Sequence, residues 1–175
     1  MLLDEAARRA GGHRWVEARL FEILGGWVAS TDDVEAKLML DRHSQHHAWR
    51  ADQWWERLPV LADVDRDALV AAPTSGHAAV MHELAAMTGD IPRLAGAYRV
   101  ALPRLAGDYQ EHRVAANPAS DEAAIRTLDI VLPDVIADWR HGEVFLQQLL
   151  INEERVIAAA DTVARLERLL VAQMG

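Results

Sequence analysis

Apolar residues in this chain recur at three- and four-residue steps over long stretches, the spacing of one helix face, and no segment alternates as a strand would. The first stretch, residues 10–29, carries Val16, Leu20, Ile23, Leu24 and Trp27 on one side; Gly25 and Gly26 inside it allow a close backbone approach. Ser30–Thr31 followed by Asp32–Asp33 reads as a hydroxyl cap with acids in the first turn, starting a second helix that runs to Leu58 before Pro59. A connector with one short helical turn leads to a short helix over 77–87. Asp90-Ile-Pro opens the next helix, to residue 115, with a kink expected at Pro103. Ser120 caps a helix reaching residue 150 through Pro133, and Asn152 caps a last one that completes the chain. The fold class is all-α: a single domain over 1–175, with two long helical hairpins, one short accessory helix between them and one C-terminal accessory helix.

At 100° per residue, several polar side chains fall on apolar faces. His13 and Glu17 lie within the arc of the first helix. Leu40, Ala51, Trp54 and Leu58 define the inner stripe of the second; Ser44 and His47 lie on it, His43 at its edge, and His46 farther round. Tyr98 and Tyr109 share a face with Leu94, Leu102 and Leu105, with His112 at its end. On the helix from Ser120, Leu128, Leu132, Val135, Trp139 and Leu146 form the stripe; Glu143 falls on it, Asp138 and Asp129 flank it, and His141 points outward. Buried without partners, such groups cost several kcal/mol per charge, so they must meet one another, a metal, a ligand or water.

Composition narrows the chemistry. There is no cysteine, which excludes disulfides, thiolate metal sites and cysteine nucleophiles. The net charge of −9 argues against nucleic-acid or anionic-membrane partners. Neither a signal peptide nor a membrane span is recognisable, so a cytoplasmic protein is expected. Six tryptophans against two phenylalanines is an unusual balance; indoles beside histidines suit a flat apolar ligand, and Trp49 or Trp55 suits a subunit interface.

With Glu17 on the first helix, His43, His46 and His47 on the second, and Glu143 with Asp138 on the helix from Ser120, the layout resembles the ferritin-like superfamily across nearly the whole chain. There a four-helix bundle holds two irons between a Glu from each of two helices and a Glu-x-x-His from each of the others. This sequence departs from that pattern: Leu40, His43 and Ser44 precede His43, His46 and His47 by three residues, and tyrosines stand where one carboxylate belongs. The resemblance implies iron or another divalent transition metal and oxidation of an organic substrate.

The expected centre is therefore Glu17, His43, His47 and Glu143 as metal ligands, Glu17, His47 and Glu143 as catalytic groups, and Tyr98, Tyr109, Trp54 and Trp139 as ligand-binding residues of a small-molecule enzyme. Two alternatives stand beside it. One is a metal-free protein that binds a small apolar ligand or performs acid–base chemistry. The other is a structural or interaction bundle whose buried polar groups satisfy one another: the histidines by hydrogen bonds to Glu17, Glu143 or tyrosine hydroxyls, and Glu17 and Glu143 in buried ion pairs, for instance with Arg50, His13 or Arg140. A homodimer is the expected assembly.

Overall fold

The computed structural model describes residues 3–60, 62 and 64–171, and every regular element in them is helical. Helix α1 spans Leu3–Val28 and α2 spans Val34–Trp55. After a 3-10 turn at Asp67–Leu69 come α3 (Ser75–Ala86) and α4 (Asp90–Gly96). A π-helical turn, Ala97–Ala101, joins α4 to α5 (Leu102–Ala115); α6 (Glu122–Leu149) and α7 (Glu153–Val171) follow. Residues 172–175, at the expected end of the last helix, lie outside the described residues. No described helix is long and apolar enough to cross a membrane.

Helix α1 starts about two turns earlier than its apolar periodicity predicts. Asp4 and Glu5 sit in its first turn, where the helix dipole favours acids, and Arg9 pairs with Glu5 at 3.0 Å. Gly11 is the glycine that packing requires there. A Cβ on it would lie 1.9 Å from the Leu69 carbonyl oxygen, whereas one on Gly26 would meet nothing within 4 Å. The cap of α2 is Asp33, which accepts from the Ala36 amide at 2.8 Å; the Thr31 hydroxyl instead donates to the Trp27 carbonyl. Asn152 caps α7 as expected, accepting from the Arg155 amide at 3.0 Å. Ser120 does not cap α6; its hydroxyl donates to Asp121.

Contacts fix the order of the bundle. Gly25 faces Ser44 and Glu17 meets His47, so α1 and α2 run antiparallel. Tyr109 reaches Glu17 while His112 reaches His13, so α5 opposes α1. Arg99 pairs with Glu143 and Arg113 with Asp129, so α6 opposes α5. The result is up-down-down-up, with one long crossover, residues 56–89, between the hairpins. Helix α7 packs on α3 and α4. Leu20, Leu24, Leu40, Leu102, Leu105, Leu128 and Leu146 are fully buried between these helices, and a polar cluster runs through the same interior.

Where a kink is expected at Pro103, the helix carries a π-helical turn immediately before the proline. Proline has no N–H for the Arg99 carbonyl, and its ring crowds that oxygen. The chain widens into the π-helical turn just before it, and Tyr98 rides on that turn.

Candidate functional site

The interior is organised around Arg50, a guanidinium with no exposed surface. Its Nε donates to Glu17 Oε1 at 2.9 Å, and its Nη1 donates to Asp138 Oδ2 at 2.9 Å and Asp134 Oδ2 at 2.5 Å. Glu17, equally buried, also accepts the Tyr109 hydroxyl at 2.5 Å, and Trp54 Nε1–H donates to that hydroxyl at 2.8 Å. Glu17 Oε2 lies 2.5 Å from His47 Nδ1. Burial alone would raise the Glu17 pKa; Arg50, His47 and the hydrogen bonds from His47 and Tyr109 overcome it and hold the carboxyl below its ordinary value. Burial is also the main reason the His47 pKa is lowered, against the pull of Glu17.

The tautomer of His47 follows from its partners. Arg50 can only donate, and an ionised Glu17 can only accept. The shorter contact, to the carboxylate, needs the proton on Nδ1, which leaves Arg50 Nη2 at 3.0 Å as a neighbouring charge. His47 Nε2 then presents a lone pair, and it is buried without a hydrogen-bond partner among the described residues.

A second group lies toward the rim, between α2 and α6. His46 and the carboxylates of Asp134 and Asp138 each offer a ligand atom, all within 4.8 Å of one another, and this group could hold a metal ion. Asp138 is buried; His46 and Asp134 are more than one-third exposed. His46 Nδ1–H donates to Asp138 Oδ1 at 2.9 Å. His43 Nε2 stands 3.5 Å from the same oxygen and 3.1 Å from His141 Nδ1, and His43 Nδ1 shares a proton with the Tyr98 hydroxyl at 2.8 Å. Burial lowers the His43 pKa to about 3, with Asp138 opposing the shift. Burial raises Asp138, but His43 and Arg50 bring it below its ordinary value.

At the other end of the interior His13 and His112 face each other, Nε2 to Nδ1, at 3.0 Å, against Trp54. His112 and Trp54 line a cleft of about 280 Å³ at that end of the bundle, with Arg57 and Ser120.

The expected ligand set does not come together as a set. Glu17 and His47 are in contact, as their helix faces imply. His43 belongs to the rim, not to the Glu17 carboxylate. Glu143 stands apart from both: Arg99 grips it at 3.0 and 2.9 Å, and it is partly exposed beside Gln147. The inward acid of α6 is Asp138, five positions earlier and therefore about 140° round the helix from Glu143. The buried face of α6 runs Leu128, Val131, Val135, Asp138, Gly142, Phe145. Of the expected ligand-binding residues, Tyr98, Tyr109 and Trp54 are fully buried and hydrogen-bonded, and Trp139 packs half-buried against the apolar core. The ion-pair alternative holds for Glu17 with Arg50 and takes an unexpected partner, Arg99, for Glu143. His141 is exposed, as expected, yet reaches His43. The expected ligand set contains neither His46 nor Asp134, which the structure brings together with Asp138. The signal was there: Asp134, Asp138 and His141 repeat at four and three residues along one side of α6.

Arg50 thus occupies the place between carboxylates and imidazole that a cation would take, and the Glu17 oxygens are fully engaged by protein donors. The rim group keeps two members open to solvent. Compared with family models, curated proteins and solved structures, the chain matches none.

Proposed function

We propose that this chain is a ferritin-like bundle that acts as a small-molecule enzyme at its rim, where His46, Asp134 and Asp138 hold a divalent transition-metal ion. The observation that carries the reading is the convergence of those three ligand groups within 4.8 Å, on a face that solvent reaches. The up-down-down-up order with one long crossover supports the ferritin-like assignment. Charge supports the ion: one guanidinium, Arg50, is set against Glu17, Asp134 and Asp138, so a cation at the rim relieves the surplus negative charge.

Bound there, a divalent ion supplies a Lewis acid for a substrate oxygen and, if it is iron, a redox centre for the oxidation that the superfamily resemblance implies. The protein groups have separate tasks. Asp138 joins the rim to the interior, because one oxygen faces His46 and the other Arg50. Arg50 and Glu17 hold it in place. The exposed edges of His46 and Asp134 leave the approach open to substrate. The acidic surface supports a small-molecule partner over nucleic acid, and Trp49, 45% exposed, supports the homodimer.

A second reading, metal-free acid–base chemistry, is favoured by one observation: Arg50 Nη1 already bridges Asp134 and Asp138. Its proton carrier would be His47, whose Nε2 lone pair has no partner.

Chelator-stripped protein dialysed against Zn²⁺, Mn²⁺ and, without oxygen, Fe²⁺ separates the two by elemental analysis. The metal reading expects about one ion per chain and a loss of roughly 10- to 100-fold in affinity in His46→Ala and Asp138→Asn, with Glu143→Gln unchanged. Background metal with all three ions would defeat it and leave the acid–base reading.

A further inference from the structure

We propose that His43 and His141 are further imidazole ligands of this rim ion, and that Tyr98 is the positioning residue that sets His43 for the task. The inference rests on the metal reading above and extends it to the full ligand set and the class of metal.

The nitrogens of His43 and His141 point at each other, Nε2 to Nδ1, at 3.1 Å. Imidazole nitrogens bound to one ion at about 2.0–2.1 Å, at neighbouring positions, lie roughly 3 Å apart. Asp138 Oδ1 ties this pair to the rest of the group, 3.5 Å from His43 Nε2 and 2.9 Å from His46 Nδ1. Helix α2 contributes His43 and His46 three residues apart, and α6 contributes Asp134, Asp138 and His141. His46, Asp134 and Asp138 lie within 4.8 Å of one another, and His43 with His141 adjoins that group through Asp138 Oδ1.

A ligating histidine needs its other nitrogen held, since that bond fixes the tautomer and the ring plane. Tyr98 provides the hold. The Tyr98 oxygen lies 2.8 Å from His43 Nδ1, and in the tautomer that carries its proton on Nδ1, donated to Tyr98, His43 presents a bare Nε2 toward His141 and Asp138. Both Tyr98 and His43 are buried, so the contact is shielded from water. Two local features bring it about. The π-helical turn Ala97–Ala101 carries Tyr98, and such turns concentrate at functional sites. Opposite, residue 142 is glycine, and a Cβ there would stand 2.1 Å from the Tyr98 ring.

Three imidazoles beside two carboxylates suit zinc, iron, cobalt, nickel or copper(II) over magnesium or calcium, which prefer all-oxygen sites. His141 and His46 lie on the open side, so the ion enters from solvent without passing the core.

Co²⁺ is the probe. The full chain, stripped by chelator, is titrated with Co²⁺, following visible absorption for the ligand field and a competing chelator dye for affinity. The wild type is expected to bind one equivalent, with Mg²⁺ in large excess failing to displace it. His141→Ala is expected to weaken Co²⁺ by about 10- to 100-fold and change its absorption bands; Tyr98→Phe is expected to weaken it to a similar degree. His141 is exposed, so its variant keeps the fold and carries the test should Tyr98→Phe melt at the assay temperature. Unchanged affinity and spectrum in His141→Ala, with the wild type binding cobalt, would overturn this inference and leave His46, Asp134 and Asp138 as the site. A wild type that binds no cobalt overturns both.

Discussion

Replacing Arg50 by methionine removes the cation from the centre of the bundle while keeping most of its aliphatic volume. Three charge-assisted contacts go with it: Nε to Glu17 at 2.9 Å, and Nη1 to Asp138 at 2.9 Å and to Asp134 at 2.5 Å. Glu17 has no exposed surface, so it cannot turn to water, and only His47 and Tyr109 remain to hold its charge. Breaking a buried pair from one side costs about 3–5 kcal/mol. For a domain of this size each kcal/mol moves the midpoint by about 2–4 °C, so Arg50→Met is expected to melt roughly 6–20 °C lower. The double variant Arg50→Met/Glu17→Gln removes the stranded charge as well and is expected to recover about half of the loss or more. Urea unfolding followed by tryptophan fluorescence and circular dichroism measures all three chains. A single variant within about 1 kcal/mol of the wild type, or a double variant no more stable than the single one, would refute the claim that Arg50 neutralises Glu17.

Two further outcomes follow from groups around that centre. In the unfolded chain His43 takes up a proton near pH 6.5, whereas in the folded protein it stays neutral down to about 3; between those values the unfolded state binds more protons, so stability is lost as the pH is lowered from 6.5 toward 3, by about 1.4 kcal/mol per unit for His43 alone. His112, lowered mainly by burial to about 4, acts in the same direction, and Glu17 and Asp138, both held below their ordinary values, add a later loss as pH falls through their folded values. Urea midpoints that stay flat from pH 6.5 to 4.5 would contradict this. Gly142→Ala sets a methyl against the Tyr98 ring, which is fully buried, and is expected to cost ~1–3 kcal/mol and weaken rim metal binding; Gly107→Ala, where a Cβ meets nothing within 4 Å, is expected to be neutral or stabilising by thermal melt.

Helix periodicity made most of this fold legible. The α1–α2 and α5–α6 hairpins, the crossover and the C-terminal helix all follow from three- and four-residue spacing and from caps such as Asn152. On α1 and α2 the phase was readable too, because Leu20, Leu24 and Trp54 are both apolar and buried, and Glu17 and His47 fall between them. On α6 the phase was off by one position. Leu132 and Trp139 drew the stripe toward themselves, yet both are only half-buried, while Asp138 and Gly142 lie on the buried face. Hydropathy penalises aspartate and ignores glycine. Asp138 faces inward because Arg50 is opposite, and residue 142 is glycine because Tyr98 fills the space. Each depends on a residue at least 44 positions away, which a single-helix reading does not weigh. The same holds for Gly11, whose partner is the Leu69 carbonyl on the crossover.

Arg50 connects the two halves of the polar cluster, and that gives its removal opposite effects on two measurements. For the fold, loss of Arg50 strands Glu17 and lowers stability. For the rim, it frees Asp134 and Asp138 of a competing cation already bonded to both. Metal affinity should therefore rise in Arg50→Met as stability falls. Because an ion that binds only the folded state stabilises by RT ln(1 + [L]/Kd), Zn²⁺ at about 100 times its Kd returns about 2.7 kcal/mol, a large part of what the substitution removes. In the wild type the ion shares Asp134 and Asp138 with the positive charge of Arg50 Nη1, so a given Zn²⁺ concentration raises its midpoint less. A guanidinium that only packed the core would leave the two chains with equal metal responses. A larger Zn²⁺-induced shift in Arg50→Met than in the wild type is the signature of arginine and metal sharing one pair of aspartates.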